Sequence, residues 1–241
     1  MDEIPETVRE QLLNAGTSTL AGAMAKRGFR NVCLNGVNPL RVDQPRMVGL
    51  AYTMRMIPVR EDKSGPTVPD RGRIQLEAME HCPPGAVLVI DSRGDARAAS
   101  AGDLYIGRLK ARGCAGIVTD GGFRDSEGIL RTGLPAYHNR PSSPPSTTVH
   151  HPIDLNLPIA CGGVAVFPGD VIVGDCDGVV VIPAHLAAEV AQEAQDTVLY
   201  DTFAEEEVAR GRALPGLFPT PNDAAKQDFA VWKENRSAHP K

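Results

Sequence analysis

Apolar residues recur along this chain with two periods, and the switches between them mark out its elements. From Pro5 to Arg27, Val8, Leu12, Ala15, Leu20 and Met24 fall at roughly helical spacing. Gly16-Thr17-Ser18 interrupts them, stopping one helix and capping the next, so two short helices are predicted. Between Val48 and Met56 the period drops to two, through Val48, Leu50, Tyr52, Met54 and Met56, which predicts a strand. A polar loop from Arg60 to Arg73, holding two prolines and two glycines, separates that strand from a short helix over 74–81.

Further on the periodicity gives way to unbroken apolar runs. Ala86-Val87-Leu88-Val89-Ile90, bounded by Pro83-Pro84-Gly85 and Asp91, has the pattern of a strand buried on both faces. Gly102 to Arg112 reads as a helix, with Gly113 just past its end and Lys110 and Arg112 in its last turn. A second buried strand, Cys114 to Thr119, comes at once after it. Strand, helix and strand so closely spaced form a βαβ unit, which makes the two strands parallel.

Pro135 to Thr148 is proline- and serine-rich and predicts a loop. Gly163–Phe167, Val171–Val173 and Val179–Ile182, joined by turns at Pro168-Gly169-Asp170 and Asp175-Cys176-Asp177-Gly178, predict a meander. Pro183 then opens a helix through Leu186, Val190, Ala194 and Val198 toward Arg210, and the tail from Leu214 reads as an arm. No internal repeat and no dividing linker is visible. The expectation is one α/β domain: N-terminal helices over 1–28, an α/β core over 30–183, and a C-terminal helix and arm over 184–241.

Composition narrows the function without choosing it. A net charge of −5 supplies no diffuse positive field for phosphate backbones, so a nucleic-acid partner is not expected. No apolar stretch is long enough for a membrane span, and the acidic N-terminus lacks the basic and apolar regions of an export signal, which places the chain in the cytoplasm. The five cysteines, Cys33, Cys82, Cys114, Cys161 and Cys176, are odd in number and form no CxxC pair, so they read as reduced. No HExxH stretch supports a zinc hydrolase, and the adjacent His150 and His151 would point their side chains apart.

Two segments carry candidate chemistry. Gly102-Asp103-Leu104-Tyr105 stands at a predicted helix N-terminus after a buried strand, where free N–H groups and the helix dipole favour a carboxylate or phosphate. The plainer alternative is that Ser100 or Asp103 only caps the helix. Thr119-Asp120-Gly121-Gly122-Phe123-Arg124-Asp125 comes directly after the second parallel strand; its glycines allow a tight turn, Arg124 offers a fork for a carboxylate, and Asp125 offers hard oxygen for Mg²⁺ or Mn²⁺. A solvated surface turn is the alternative here. Both segments leave the carboxyl edge of the same parallel strands, where open α/β sheets hold ligands, so the two should be neighbours.

The segment from Gly102 to Asp125, GDLYIGRLKARGCAGIVTDGGFRD, resembles the family that holds the ribonuclease-activity regulator A proteins and the 4-hydroxy-4-methyl-2-oxoglutarate/4-carboxy-4-hydroxy-2-oxoadipate aldolases. A looser likeness runs from the N-terminal helices through GGVAVFPGDVIVGDCDGVVVIP, over most of the chain. The resemblance implies an α/β/α sandwich like the swivelling phosphohistidine domain, with helical N- and C-terminal extensions, assembled as a homotrimer or homohexamer with sites between subunits. It makes Gly102, Asp103, Leu104 and Tyr105 the substrate loop, Arg124 the ligand of a substrate carboxylate, and Asp125 the ligand of a divalent metal, with Asp103 orienting a water on that metal. The aspartate of the Arg-Asp pair is often missing from the regulator-like branch, and its presence favours an enzyme. In place of the glycine-rich turn of the aldolases this chain has Asp91-Ser92-Arg93-Gly94-Asp95, which implies a different anionic or polyhydroxylated acid.

The expected reaction is cleavage of a 4-hydroxy-2-oxo acid to pyruvate and a carbonyl compound, with oxaloacetate decarboxylation as a side activity because both pass through one enolate. Glu205, Glu206 and Glu207 on the late helix are further candidates for a base supplied by a neighbouring subunit. A Schiff-base aldolase using Lys110 is a rival within catalysis. Outside catalysis, the rival is a regulator that binds a protein such as a ribonuclease.

Overall fold

The structure is a computed structural model that describes residues 3–64 and 72–238. Residues 65–71 of the loop read over Arg60–Arg73 therefore lie outside the described residues, as do the chain ends. Two helices open the chain, α1 (Glu6–Asn14) and α2 (Thr17–Lys26), followed by β1 (Asn38–Pro39), β2 (Met47–Pro58), α3 (Glu61–Ser64) and α4 (Arg73–His81). The central block is β3 (Val87–Asp91), β4 (Ala99–Ala101), α5 (Asp103–Ala111), β5 (Gly116–Thr119), β6 (Gly122–Phe123), α6 (Ser126–Thr132), β7 (Ala136–His138) and β8 (Arg140–Pro141). The remainder is β9 (His150–Leu155), β10 (Ile159–Cys161), β11 (Val164–Val166), β12 (Val171–Asp175), β13 (Gly178–Ile182), α7 (Ala187–Ala209) and α8 (Asp223–Ala238).

The main sheet runs β1-β7-β5-β3-β2-β12-β13, with β9 pairing the far half of β2. β2, β3, β5 and β7 are mutually parallel, as the βαβ reading requires, while β1, β9, β12 and β13 run antiparallel to their neighbours. The sheet curls until its ends nearly meet. Leu34 N donates to Val179 O and Val181 N to Val32 O, so the chain just before β1 lies along β13. An apolar cluster of Met47, Ala51, Val87, Val89, Val118, Ile172 and Val181 fills the concave side. α4, α5 and α6 cover one part of the outer face through Leu88, Ile90, Ile106, Leu109 and Ile129, and α1, α2 and α7 cover another through Leu12, Leu20, Val173 and Val190.

Several expectations change. β2 is buried along both faces over most of its length, because it sits mid-sheet with partners on either side; its apparent alternation masks small residues such as Gly49 and Ala51 that are buried too. The stretch expected to be loop over Pro135–Thr148 supplies β7, whose three residues are all buried and complete the parallel set. The expected meander is broken, since β11 turns away to pair with β10 and only β12 and β13 form a hairpin in the main sheet. The expected arm contains α8, whose Phe229 and Trp232 pack on Tyr200 and Phe203 of α7. No described helix is long and apolar enough to cross a membrane.

Candidate active site at the carboxyl edge of the parallel strands

Past the carboxyl ends of β3 and β5 the chain builds a second, three-stranded parallel sheet in the order β4-β6-β8. Ala101 is in register with Phe123, and Arg124 N donates to Ala101 O at 3.2 Å. This places Gly102, the residue after β4, against Arg124, the residue after β6. A Cβ built on Gly102 would stand 2.7 Å from Asp125 Oδ2, 3.1 Å from Arg124 Nε and 3.2 Å from Arg124 Cγ. The two segments expected to be neighbours are in contact, and glycine is the residue that allows it.

Gly102 is also the N-cap of α5, and among the described residues no side chain caps that helix. The simple capping alternative therefore fails for Ser100. Its hydroxyl is turned into a buried cluster instead, 2.7 Å from Ser92 Oγ and 2.8 Å from Thr119 Oγ1. The first turn of α5 keeps its donors and the positive end of its dipole directed at the space over Gly102. Asp103 is half-buried with its carboxylate against Gly128 in the first turn of α6, where any side chain at 128 would collide with it. Tyr105 packs partly into the core, whereas Leu104 is 86% exposed.

Arg124 Nε lies 3.3 Å from Asp125 Oδ2, and the two side chains are 46% and 47% exposed. This is an open pair, accessible to a ligand, not a closed buried one. Asp125 has left-handed backbone angles, φ 58° and ψ 41°, and forms the N-cap position of α6 without capping it through its side chain. A non-glycine residue held there carries a conformational cost that clusters at functional sites.

The paired glycines act differently from the expected tight turn. Neither has positive φ. Gly121 is needed because a Cβ would meet Ser92 Cβ at 2.7 Å, and Gly122 because one would meet Ser142 Cβ at 2.6 Å. Asp120 beside them is 4% exposed and accepts from Ser92 N at 2.7 Å, Gly94 N at 2.9 Å and Gly162 N at 3.2 Å. It staples the 91–95 turn and the 162 turn to the end of β5. Burial pushes its carboxyl up, against the pull of those three donors.

Arg93, also left-handed at φ 64°, reaches His150 Nδ1 at 3.2 Å and lines a polar cavity of about 550 Å³ with Asp91, Asp120 and Asn139. His150 is buried while His151 bonds Ser64 Oγ at 2.6 Å, so the adjacent histidines do point apart. Lys110 is exposed in the last turn of α5, at the opposite end of that helix from Gly102. Glu206 and Glu207 are engaged by Arg210, Arg212 and Arg236.

One residue that sequence reasoning set aside adjoins the site. His138, 5% exposed at the end of β7, stacks on Phe123 with centroids 5.3 Å apart and rings 21° from parallel. Burial pushes its pKa down to about 4, and Nδ1 has no hydrogen-bond partner among the described residues. The only signal for it was an apolar neighbour, Tyr137, inside a stretch that otherwise reads as loop.

A family model described as RraA-like, Aldolase/RraA, matches residues 17–181. A protein of Halalkalibacterium halodurans named "Putative 4-hydroxy-4-methyl-2-oxoglutarate aldolase" is 39% identical over 134 residues, which cover 56% of this chain and 63% of that protein. A protein of the same name from Ectopseudomonas mendocina is 36% identical over 103 residues, covering 43% of this chain and 63% of that protein. The matched part of the chain thus spans a little under two thirds of those relatives. Among solved structures, Streptomyces coelicolor RraAS2, described as an unusual member of the RNase ES inhibitor RraA protein family, superposes with a TM-score of 0.76 at 28% identity, over 85% of this chain and 98% of that one.

Proposed function

The chain belongs to the RraA-like family, and from that premise we propose that it is a divalent-metal-dependent aldolase that cleaves a 4-hydroxy-2-oxo acid to pyruvate and a carbonyl compound. Oxaloacetate decarboxylation is the expected side activity. The observation that carries the reading is the contact of Arg124 and Asp125 with Gly102, which gathers a guanidinium, a hard carboxylate and an uncapped helix N-terminus around one open space.

Asp125 fits a divalent cation by the chemistry of its donor. One half-exposed carboxylate, with the remaining positions left to substrate and solvent, is the kind of set that suits Mg²⁺, and Mn²⁺ accepts it equally. Bound there, the metal would act as a Lewis acid on the keto oxygen of the substrate and stabilise enolate charge. The remaining steps belong to the chain. Arg124 grips the C1 carboxylate with a charge-assisted fork, and the free N–H groups of α5 add to that grip. The C4 hydroxyl loses its proton, the C3–C4 bonding pair moves to make the C2–C3 enolate, and protonation at C3 gives pyruvate. Asp103, in the first turn of α5, has the role of orienting the water that takes up that proton. Assembly as a homotrimer or homohexamer belongs to this reading, and a second copy covering Leu104 would account for so exposed a leucine at the lip of the site.

The test is pyruvate release from a panel of 4-hydroxy-2-oxo acids, with and without EDTA. Turnover is expected to stop on chelation and to fall by about 10²–10³-fold in Arg124→Ala and Asp125→Ala. EDTA-resistant turnover trapped by borohydride on Lys110 would move the chemistry to a Schiff base. No turnover on any of these acids, together with tight binding to a ribonuclease, would replace catalysis by the regulator reading.

A further inference from the structure

The family match ends at residue 181, and the chain beyond it builds a separate surface. The second half of α7 and α8 form a helical hairpin with its own aromatic cluster of Tyr200, Phe203, Phe229 and Trp232 around Leu217. Beside that cluster, and sharing its Ala204, the residues Asp201, Ala204, Glu205 and Val208 succeed one another at helical spacing, and the turn after α7 adds Leu214 and Phe218. Together they line a groove of about 490 Å³. Ala204 is the buried floor, and three apolar members around it are open to solvent: Val208 is 43% exposed, Leu214 52% and Phe218 49%.

The charges around it are unevenly satisfied. Elsewhere on the hairpin Glu206, Glu207 and Asp228 are matched by Arg210, Arg212 and Arg236. Asp201 and Glu205 have no such cation among the described residues, and they stand one helical turn apart, where like charges repel. Burial and the Glu205 charge push the Asp201 carboxyl up. An apolar floor with an uncompensated acidic rim lacks two things at once, an apolar cover and positive charge.

We infer that this groove docks a basic amphipathic segment of a protein partner, with apolar side chains over Val208, Leu214 and Phe218 and a lysine or arginine at Asp201 and Glu205. A second copy of this chain, with a net charge of −5, complements that acidic rim less well than a basic segment does. The site at Gly102, Arg124 and Asp125 is not involved, so the inference stands whether or not the lyase reading does.

The full chain is titrated with two synthetic helical peptides that share one leucine pattern, lysine filling the polar positions of the first and glutamate those of the second. Anisotropy of the labelled peptide and emission of Trp232, the single tryptophan, report binding. The lysine peptide is expected to bind saturably, one per chain, and the glutamate peptide not at all. Asp201→Asn with Glu205→Gln should weaken binding about tenfold or more, and Leu214→Ser with Phe218→Ser should do the same. Glu10→Gln with Asp177→Asn, a remote pair of equal charge change, should leave it unmoved; near-UV circular dichroism of Trp232 confirms that each variant keeps the hairpin. Equal weakening by the remote pair, or equal binding of the glutamate peptide, overturns the inference. So does self-association of the wild-type chain in sedimentation that the groove substitutions abolish, which would make a second copy the occupant.

Discussion

Asp120 and Asp125 leave the end of β5 on one short stretch, yet the fold treats their carboxylates in opposite ways. Asp120 is buried and spends both oxygens on three backbone N–H groups from two separate turns. Asp125 is half exposed, shares one oxygen with a neighbouring guanidinium at 3.3 Å, and is held in a left-handed conformation that costs free energy. A carboxylate whose acceptor sites are filled by the chain is part of the scaffold. One left open on a strained backbone, over an uncapped helix N-terminus, has acceptor capacity to offer a ligand. Only position in the fold separates the two, since in sequence both are aspartates beside a glycine or an arginine in one motif.

The sharpest way to break this contrast is to neutralise each in turn. Asp125→Asn is expected to lower pyruvate formation by about 10³-fold, close to 4 kcal/mol of barrier, with the urea midpoint unchanged. Asp120→Asn is expected to reverse the pattern. Its amide would face backbone donors with a donor, costing about 2–4 kcal/mol of stability, while turnover per folded molecule persists at low temperature. Comparable unfolding midpoints for the two variants would erase the distinction.

A smaller effect probes the residue behind the loop joining them. His138 is held neutral in the fold, with its pKa pushed down to about 4 by burial against Phe123, whereas the unfolded chain protonates it near 6.5. A depressed folded pKa means that stability is whole above about pH 6.5 and declines as pH falls toward 4, by up to about 3 kcal/mol. His138→Phe, which preserves the ring stack, should flatten the fall in urea midpoint over that window. Some slope will remain, because burial lowers the pKa of His150 as well. An unchanged slope in the variant would show that His138 does not carry the effect.

These contrasts also explain what the sequence did and did not disclose. β3, α5 and β5 were legible because Val87–Ile90 and Ile117–Val118 are unbroken apolar runs and Gly113 ends the helix between them. The parallel strands then put both candidate loops on one edge by geometry alone. β4, β6 and β8 were invisible, since Ala99-Ser100-Ala101 and Gly122-Phe123 are too short to show a period and become strands only through their hydrogen bonds to one another. That small sheet is what turns proximity into contact at Gly102. Ser92 reads as a turn residue, Ser100 as a possible helix cap and Thr119 as a strand end, and only folding closes the three into one buried hydroxyl cluster. α8 was hidden by Pro215, Pro219 and Pro221, which belong to the turn before it and not to the helix.

The finest test of the contrast uses Gly102 itself. Its backbone is extended, at φ −128° and ψ −176°, so alanine fits there without strain. The added methyl would meet Asp125 Oδ2 at 2.7 Å and Arg124 Nε at 3.1 Å, and both are ends of side chains with open solvent beside them. They can swing aside. Gly102→Ala should therefore change stability by less than about 0.5 kcal/mol, yet it displaces the guanidinium and the carboxylate together from the positions that would grip a substrate. Misplacement on that scale lowers kcat/KM by about 10–100-fold, and Gly102→Ser should do no better. If the alanine variant loses stability and keeps full turnover, the contact at Gly102 is packing of the kind seen at Gly121, and the open side of the Asp120–Asp125 contrast loses its meaning.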